Sequence, residues 1–179
     1  MQTKNIYLLV GESGNGKTSV SEQLETKYGL NVIQSYTTRP ERYSGERGHI
    51  FVSDQEFDKL QDFVAYTKFD KFRYCATADQ IEQNSVYVID PAGITYFKRH
   101  YHGNKKAYVI YIYTSLTNRV LRMKKRGDTR DKVIRRLIND NDSFEGVKEN
   151  ADISIDNDDL EKCVESCYQY IMRNEMLNE

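Results

Sequence analysis

Gly11-Glu12-Ser13-Gly14-Asn15-Gly16-Lys17-Thr18 decides how this chain is read. The stretch meets G-x-x-x-x-G-K-[ST] at every fixed position, the pattern of a loop that wraps phosphate. Before it runs Asn5-Ile6-Tyr7-Leu8-Leu9-Val10, β-rich and apolar, with the length of a buried strand. After it, Thr18 to Tyr28 reads as a helix: Val20 and Leu24 lie four apart, and Gly29 follows as a stop. Strand, glycine loop and helix are the context the motif needs. The loop must point successive N–H groups inward through backbone angles that side chains hinder. The helix N-terminus adds partial positive charge. Lys17 supplies a full charge for the β- and γ-phosphates, and the Thr18 hydroxyl suits a Mg²⁺ ligand. Gly11, Ser13, Gly14, Asn15, Gly16, Lys17 and Thr18 are therefore expected to hold ATP.

At 179 residues the chain has room for one domain with a sizeable core. Lys and Arg number 26 against 27 Asp and Glu, so no overall attraction to nucleic acid or membrane is implied. Mean hydropathy is -0.74, and no apolar run approaches a membrane span. Strand residues follow almost at once on Met1, leaving no room for a signal peptide. Three cysteines, Cys75, Cys163 and Cys167, read as reduced thiols of a cytoplasmic protein, since no His or further Cys completes a metal set near the last two.

Further along, Asn31 to Gln34 is short and extended and delivers Ser35-Tyr36-Thr37-Thr38-Arg39-Pro40-Glu41-Arg42. Pro40 places both arginines on a loop, where paired guanidinium donors suit a second phosphate. His49 to Val52 reads as a strand. Ser53 and Glu56 form a capping box that opens a helix to about Gln61. Phe63 to Phe69 and Phe72 to Tyr74 alternate as a hairpin turning at Asp70-Lys71, so the region from about Tyr36 to Thr77 is expected to be mostly antiparallel. Ser85 to Ile89 is a core strand ending in Asp90, a carboxylate facing the site and also a helix cap before Pro91. A helix follows to Tyr101, then the strand Ala107 to Tyr113. From Ser115 a helix leads into a basic run, Arg119, Arg122, Lys124, Lys125 and Arg126, with Arg130, Lys132, Arg135 and Arg136 beyond the Gly127 turn. A solvated or nucleic-acid-binding face is the alternative, but a lid over the transferring phosphate explains the run better. Ser143 to Asn150 reads as loop, Ile153 to Ile155 as a last strand, and Asn157-Asp158-Asp159-Leu160 as the start of a C-terminal helix.

Taken together these blocks resemble the guanylate kinase family, over the chain from about Ile6 to the Asp158 helix. The resemblance rests on the phosphate loop, Ser35-x-Thr37-Thr38-Arg39-x-x-Arg42, Gly45-Glu46, Phe51-Val52-Ser53-x-x-Glu56-Phe57, Tyr74, Asp90-x-x-Gly93, Arg126-Gly127 and Asn157-Asp158-Asp159-Leu160. It implies an α/β phosphate-loop nucleoside-monophosphate-kinase fold. That fold has a five-stranded parallel core with helices on both faces, a small antiparallel monophosphate-binding insert and a helical lid. Insert 36–77, lid 126–136 and core 1–35, 78–125 and 137–179 would form one domain. By position, Arg39, Arg42 and Tyr74 would hold the acceptor's phosphate, and Ser35 with Asp90 would lie near its base. Arg122, Arg126 and Arg136 would contact the phosphates of ATP and the transferring group. The reaction implied is GMP or dGMP plus ATP, with Mg²⁺, in a cytoplasmic monomer or homodimer that uses no nucleic acid or membrane partner.

Departures fall on the base-reading half of the acceptor site. Ala65 stands where the family carries a glutamate, and Cys75-Ala76 where it carries Gly-[ST], with Thr77 one position late. His49 replaces a tyrosine, and Val88 the first Asp of Asp-x-Asp. Another nucleoside monophosphate or a phosphorylated sugar is thus a rival acceptor. A guanylate-kinase-like binding module without catalysis is the rival of another class, ranked below because Lys17, Thr18 and both loop arginines are kept.

Overall fold

The computed structural model describes residues 1–69 and 71–177. In chain order its elements are β1 (Ile6–Val10), α1 (Lys17–Tyr28), β2 (Ser35–Thr37), β3 (His49–Phe51), α2 (Asp54–Phe57), β4 (Phe63–Phe69), β5 (Phe72–Thr77) and α3 (Ala78–Gln83). There follow β6 (Val86–Val88), α4 (Pro91–His100), β7 (Ala107–Tyr113), α5 (Leu116–Lys125), α6 (Arg130–Ser143), β8 (Ile153–Asp156) and α7 (Leu160–Leu177).

The main sheet runs β6-β1-β7-β8, every pair parallel. All five β1 side chains are buried, as a parallel strand covered on both faces requires. Alternation sends Ile6, Leu8 and Val10 to one layer and Tyr7 and Leu9 to the other. The first layer holds Ile81 of α3, Ile94 and Phe97 of α4, and Val64, Ala65 and Ala76 from a second sheet. The other holds Val20 and Leu24 of α1 with Cys163, Val164, Cys167 and Ile171 of α7. Helices therefore cover both faces, as the sequence implied. The expected fifth strand over Asn31 to Gln34 is cut to one bridge between Val32 and Val86. The Asn31 carbonyl takes the amides of both Ser85 and Val86, and at Ser35 the chain has already left for β2.

The second sheet has the order β3-β2-β5-β4. β5 is antiparallel to β2 and β4, but β3 runs parallel to β2, so this insert is mixed rather than antiparallel. The loop between Thr37 and His49 is long enough to return the chain in the same direction. Of the turn expected at Asp70-Lys71, Asp70 lies outside the described residues.

Local signals set most ends. Gly29 closes α1 in the left-handed region with φ 67°, its N–H reaching Glu25 and Leu24 carbonyls. The Ser53–Glu56 capping box forms, but α2 stops at Phe57 instead of running to Gln61. A second capping box, Thr77 with Gln80, opens α3, a helix absent from the sequence reading. Asp90 caps α4 through the Gly93 amide, with Pro91 inside the first turn. The expected lid consists of the turn after Lys125 and the start of α6, which continues unbroken to Ser143. Among the described residues no helix is long and apolar enough to cross a membrane.

Candidate active site

The loops after β1, β6, β7 and β8 meet at the carboxyl end of the main sheet, where open α/β sheets take their ligands. Only glycine fits three corners of the phosphate loop, Gly11, Gly14 and Gly16. A Cβ on Gly11 would stand 2.1 Å from the Ile112 carbonyl oxygen, and one on Gly16 2.5 Å from Asn157 Nδ2. Gly14 lies against the Arg119 backbone. Asn15 fastens the loop: its amide donates to the Glu12 carbonyl at 3.2 Å, and its Nδ2 to the Ile112 carbonyl at 3.0 Å. Asn157 Nδ2 in turn donates to the Asn15 carbonyl at 2.7 Å. Gly16 caps α1 with no side-chain acceptor, which leaves the first amides of that helix for an anion.

Lys17 Nζ folds back onto the Gly11 and Glu12 carbonyls. Burial brings its pKa down to about 8, with Asp140 and Glu12 working against that and Arg119 and Arg126 adding to it. Thr18 is exposed at the start of α1. Among the described residues no cluster of three or more His, Cys, Asp and Glu could hold a metal on its own. A divalent cation could take the Thr18 hydroxyl together with nucleotide phosphates, the shared coordination Mg²⁺ favours.

α5 sends two arginines to the loop. Arg122 Nη2 donates to the Asn157 carbonyl at 2.6 Å, while its Nη1 is buried without a partner. Arg119 Nε donates to the Ser13 carbonyl at 2.9 Å and its Nη2 to Asp140 at 2.6 Å. On the loop between β2 and β3, Arg39 is 7% exposed and grips Glu46 with both terminal nitrogens at 3.0 and 2.8 Å. Arg42 donates to the same carboxylate through its amide at 2.8 Å and its side chain at 3.3 Å. Burial works to raise the Glu46 carboxyl, but Arg39 and Arg42 hold it below the usual range. Tyr74 lies near Arg39, whose Nε is left buried and unpaired.

A family model described as guanylate kinase matches residues 3–174. The chain belongs to the guanylate kinase family. It is 28% identical over 181 residues to the guanylate kinase of Mycoplasmoides gallisepticum, covering 94% of this chain and 92% of that protein. With the guanylate kinase of Legionella pneumophila (strain Paris) it shares 25% identity over 184 residues, 96% of this chain and 87% of the other. A crystal structure of guanylate kinase from Anaplasma phagocytophilum matches the fold with a TM-score of 0.70 at 20% identity, covering 98% of this chain and 88% of that one.

As a member of the guanylate kinase family the chain is a nucleoside monophosphate kinase. Burial, then Arg39, holds the Arg42 guanidinium below its ordinary pKa, and Arg136 and Arg126 contribute. Arg126 and Arg136 both lean on the nearly buried Asp128, Arg126 through Nη2 and Arg136 through Nε at 3.8 Å, with Lys132 at 3.0 Å. Ser35 Oγ lies 2.9 Å from His49 Nδ1. Asp90 accepts the Gly93 amide at 2.6 Å, and burial raises its pKa. Thr77 is occupied in capping α3, and Val88 packs on the opposite layer. Sequence reasoning passed over Glu46, Arg119 and Asp140 as site residues. The three-residue spacing of Arg119 and Arg122 puts both on one face of α5, a usable signal. Asp140 gave none, being 127 positions from Ser13.

Proposed function

We propose that the chain transfers the γ-phosphoryl group of ATP to a nucleoside monophosphate, GMP or dGMP first, giving GDP or dGDP and ADP. The observation carrying this is a pair of buried guanidinium nitrogens without partners: Arg122 Nη1 beside the phosphate loop and Arg39 Nε on the loop between β2 and β3. A buried donor left unpaired is costly, and a phosphate oxygen supplies what each lacks. Lys17, Arg122 and the amides of the loop hold the donor phosphates. Arg39, Arg42 and Tyr74 hold the acceptor phosphate, displacing Glu46 in part. Arg126 and Arg136 exchange Asp128 for the transferring group as the lid comes down and excludes water. Mg²⁺, where it binds, neutralises charge on the donor phosphates. The chain forms no covalent intermediate; alignment and charge stabilisation do the chemistry. The test is product formation from ATP with a panel of ribo- and deoxynucleoside monophosphates. ADP released in step with a nucleoside diphosphate supports the reading, and ATP hydrolysis indifferent to every acceptor contradicts it.

A further inference from the structure

A line of neutral polar groups runs inward from the arginine clamp. Its outer end is His49, whose ring centroid stands 5.6 Å from that of Tyr74. Ser35 and His49 are register partners on β2 and β3, joined through Ser35 Oγ and His49 Nδ1 at 2.9 Å. On its inner side the Ser35 side chain meets the phenol of Tyr87, which reaches across from β6 of the main sheet. Tyr87 is 5% exposed and shares its layer with Ala65 and Ala76, at 1% and 0%, which oppose each other across β4 and β5. The β4–β5 wall thus presents methyl groups here, with a phenol in the same layer. Carboxylates near the line are engaged elsewhere: Glu46 by Arg39 and Arg42, Asp90 by the Gly93 amide and the Thr67 hydroxyl. Burial, then Arg39, brings His49 down to about 4, so its imidazole is uncharged at neutral pH.

We propose that Ser35, His49 and Tyr87 read the acceptor's base, and that the site takes 6-oxopurine nucleoside monophosphates as a class, GMP and IMP alike. This rests on the nucleoside monophosphate reading above. With its phosphate on Arg39 and Arg42, an acceptor lays its base along the line. Bonded to both neighbours, Ser35 leaves one of the line's three protons at an end, on His49 or on Tyr87, and that donor serves the 6-oxo acceptor that guanine and hypoxanthine share. The 2-amino group that distinguishes guanine requires a fixed acceptor, and the alanine wall offers none. Adenine presents a 6-amino donor where that proton points, and is disfavoured.

The experiment compares kcat/KM for GMP, IMP and AMP at saturating ATP and Mg²⁺, in the full chain and in Tyr87→Phe. GMP and IMP should agree within about threefold, and AMP should trail by about tenfold or more. Tyr87→Phe keeps the ring and the packing. It should lower kcat/KM for GMP and IMP together by about 5- to 50-fold, with KM for ATP unchanged. IMP trailing GMP by more than about tenfold overturns the inference, because the 2-amino group is then read. So does a pyrimidine nucleotide that outruns GMP, or a folded Tyr87→Phe that matches the parent. If Tyr87→Phe does not fold, the GMP-to-IMP ratio of the parent decides alone. Failure with every monophosphate sinks the kinase reading itself, whereas GMP turnover without IMP turnover sinks only this inference.

Discussion

The Asp140 carboxylate on α6 accepts the Ser13 amide at 2.9 Å, so the helix that continues the lid is pinned to the phosphate loop. It also takes the Ser13 hydroxyl at 3.2 Å and Arg119 Nη2 at 2.6 Å, and both charged side chains are largely buried. Removing one partner of such a pair strands the other's charge, while replacing both by apolar groups can be nearly neutral. Asp140→Ala is expected to lower stability by about 2–4 kcal/mol, and Arg119→Met with Asp140→Leu to recover most of that loss. Thermal or denaturant unfolding of the parent, the single variants and the double variant checks the coupling. Losses that simply add show that the pair is not coupled.

Lys17 sets a pH dependence. Its folded pKa of about 8 lies below the ordinary 10.5, so as pH rises the folded chain gives up this proton before the unfolded chain does. Stability from this group therefore grows between those two values, while the charge that holds ATP is lost. kcat/KM for ATP, which reports the free enzyme, should fall with an apparent pKa near 8, and kcat should fall at higher pH because bound phosphates favour the charged amine. A kcat/KM profile flat through about pH 10 rules out this role for the free lysine.

Arg39 and Arg42 read phosphate, whatever base is attached. Arg39→Ala should cut kcat/KM for every monophosphate by about 10- to 100-fold, the range of a charge-assisted hydrogen bond, and leave KM for ATP nearly unchanged. Glu46 loses its bidentate partner in the same variant. Steady-state kinetics with both substrates varied separates the outcomes; an equal loss in ATP use would move Arg39 to the donor side.

Much of this fold is legible because its signals are local. The phosphate loop, the Gly29 stop, the Ser53–Glu56 box and the Asp90–Pro91 cap each lie within a few residues and appear where the sequence places them. What escaped is non-local. Whether β3 lies parallel or antiparallel to β2 depends on how a long loop returns, which side-chain alternation does not encode. The fifth strand is cut to the Val32–Val86 bridge because the chain leaves at Ser35 for the second sheet, a departure visible only once β2 is paired there. The same holds for the site: the arginines announce themselves by clustering, but Asp140 joins Ser13 only through the docking of α6.

Ala65 shows how burial changes a substitution read from sequence. Read from the sequence, a carboxylate there is a simple restoration, yet the position is 1% exposed and lies in an apolar layer with Tyr87 and Ile89. Ala65→Glu alone is expected to destabilise by about 2–4 kcal/mol, because the acid is desolvated without a partner. Combined with Tyr87→Ala, which vacates the layer, it should lose less. Melting temperatures of the two variants and of Tyr87→Ala test this, and a single variant as stable as the parent contradicts the burial.

Lys17 carries the central claim, that the loop holds a triphosphate for transfer rather than as a binding platform. The decisive measurement is the steady-state rate of GDP formation from GMP and ATP with Mg²⁺ in the parent and in Lys17→Ala, with folding of both confirmed by their melting curves. Phosphoryl transfer through this loop requires turnover in the parent and a loss of about 100-fold or more in the variant. No turnover in the parent, or turnover of similar size in both, contradicts it.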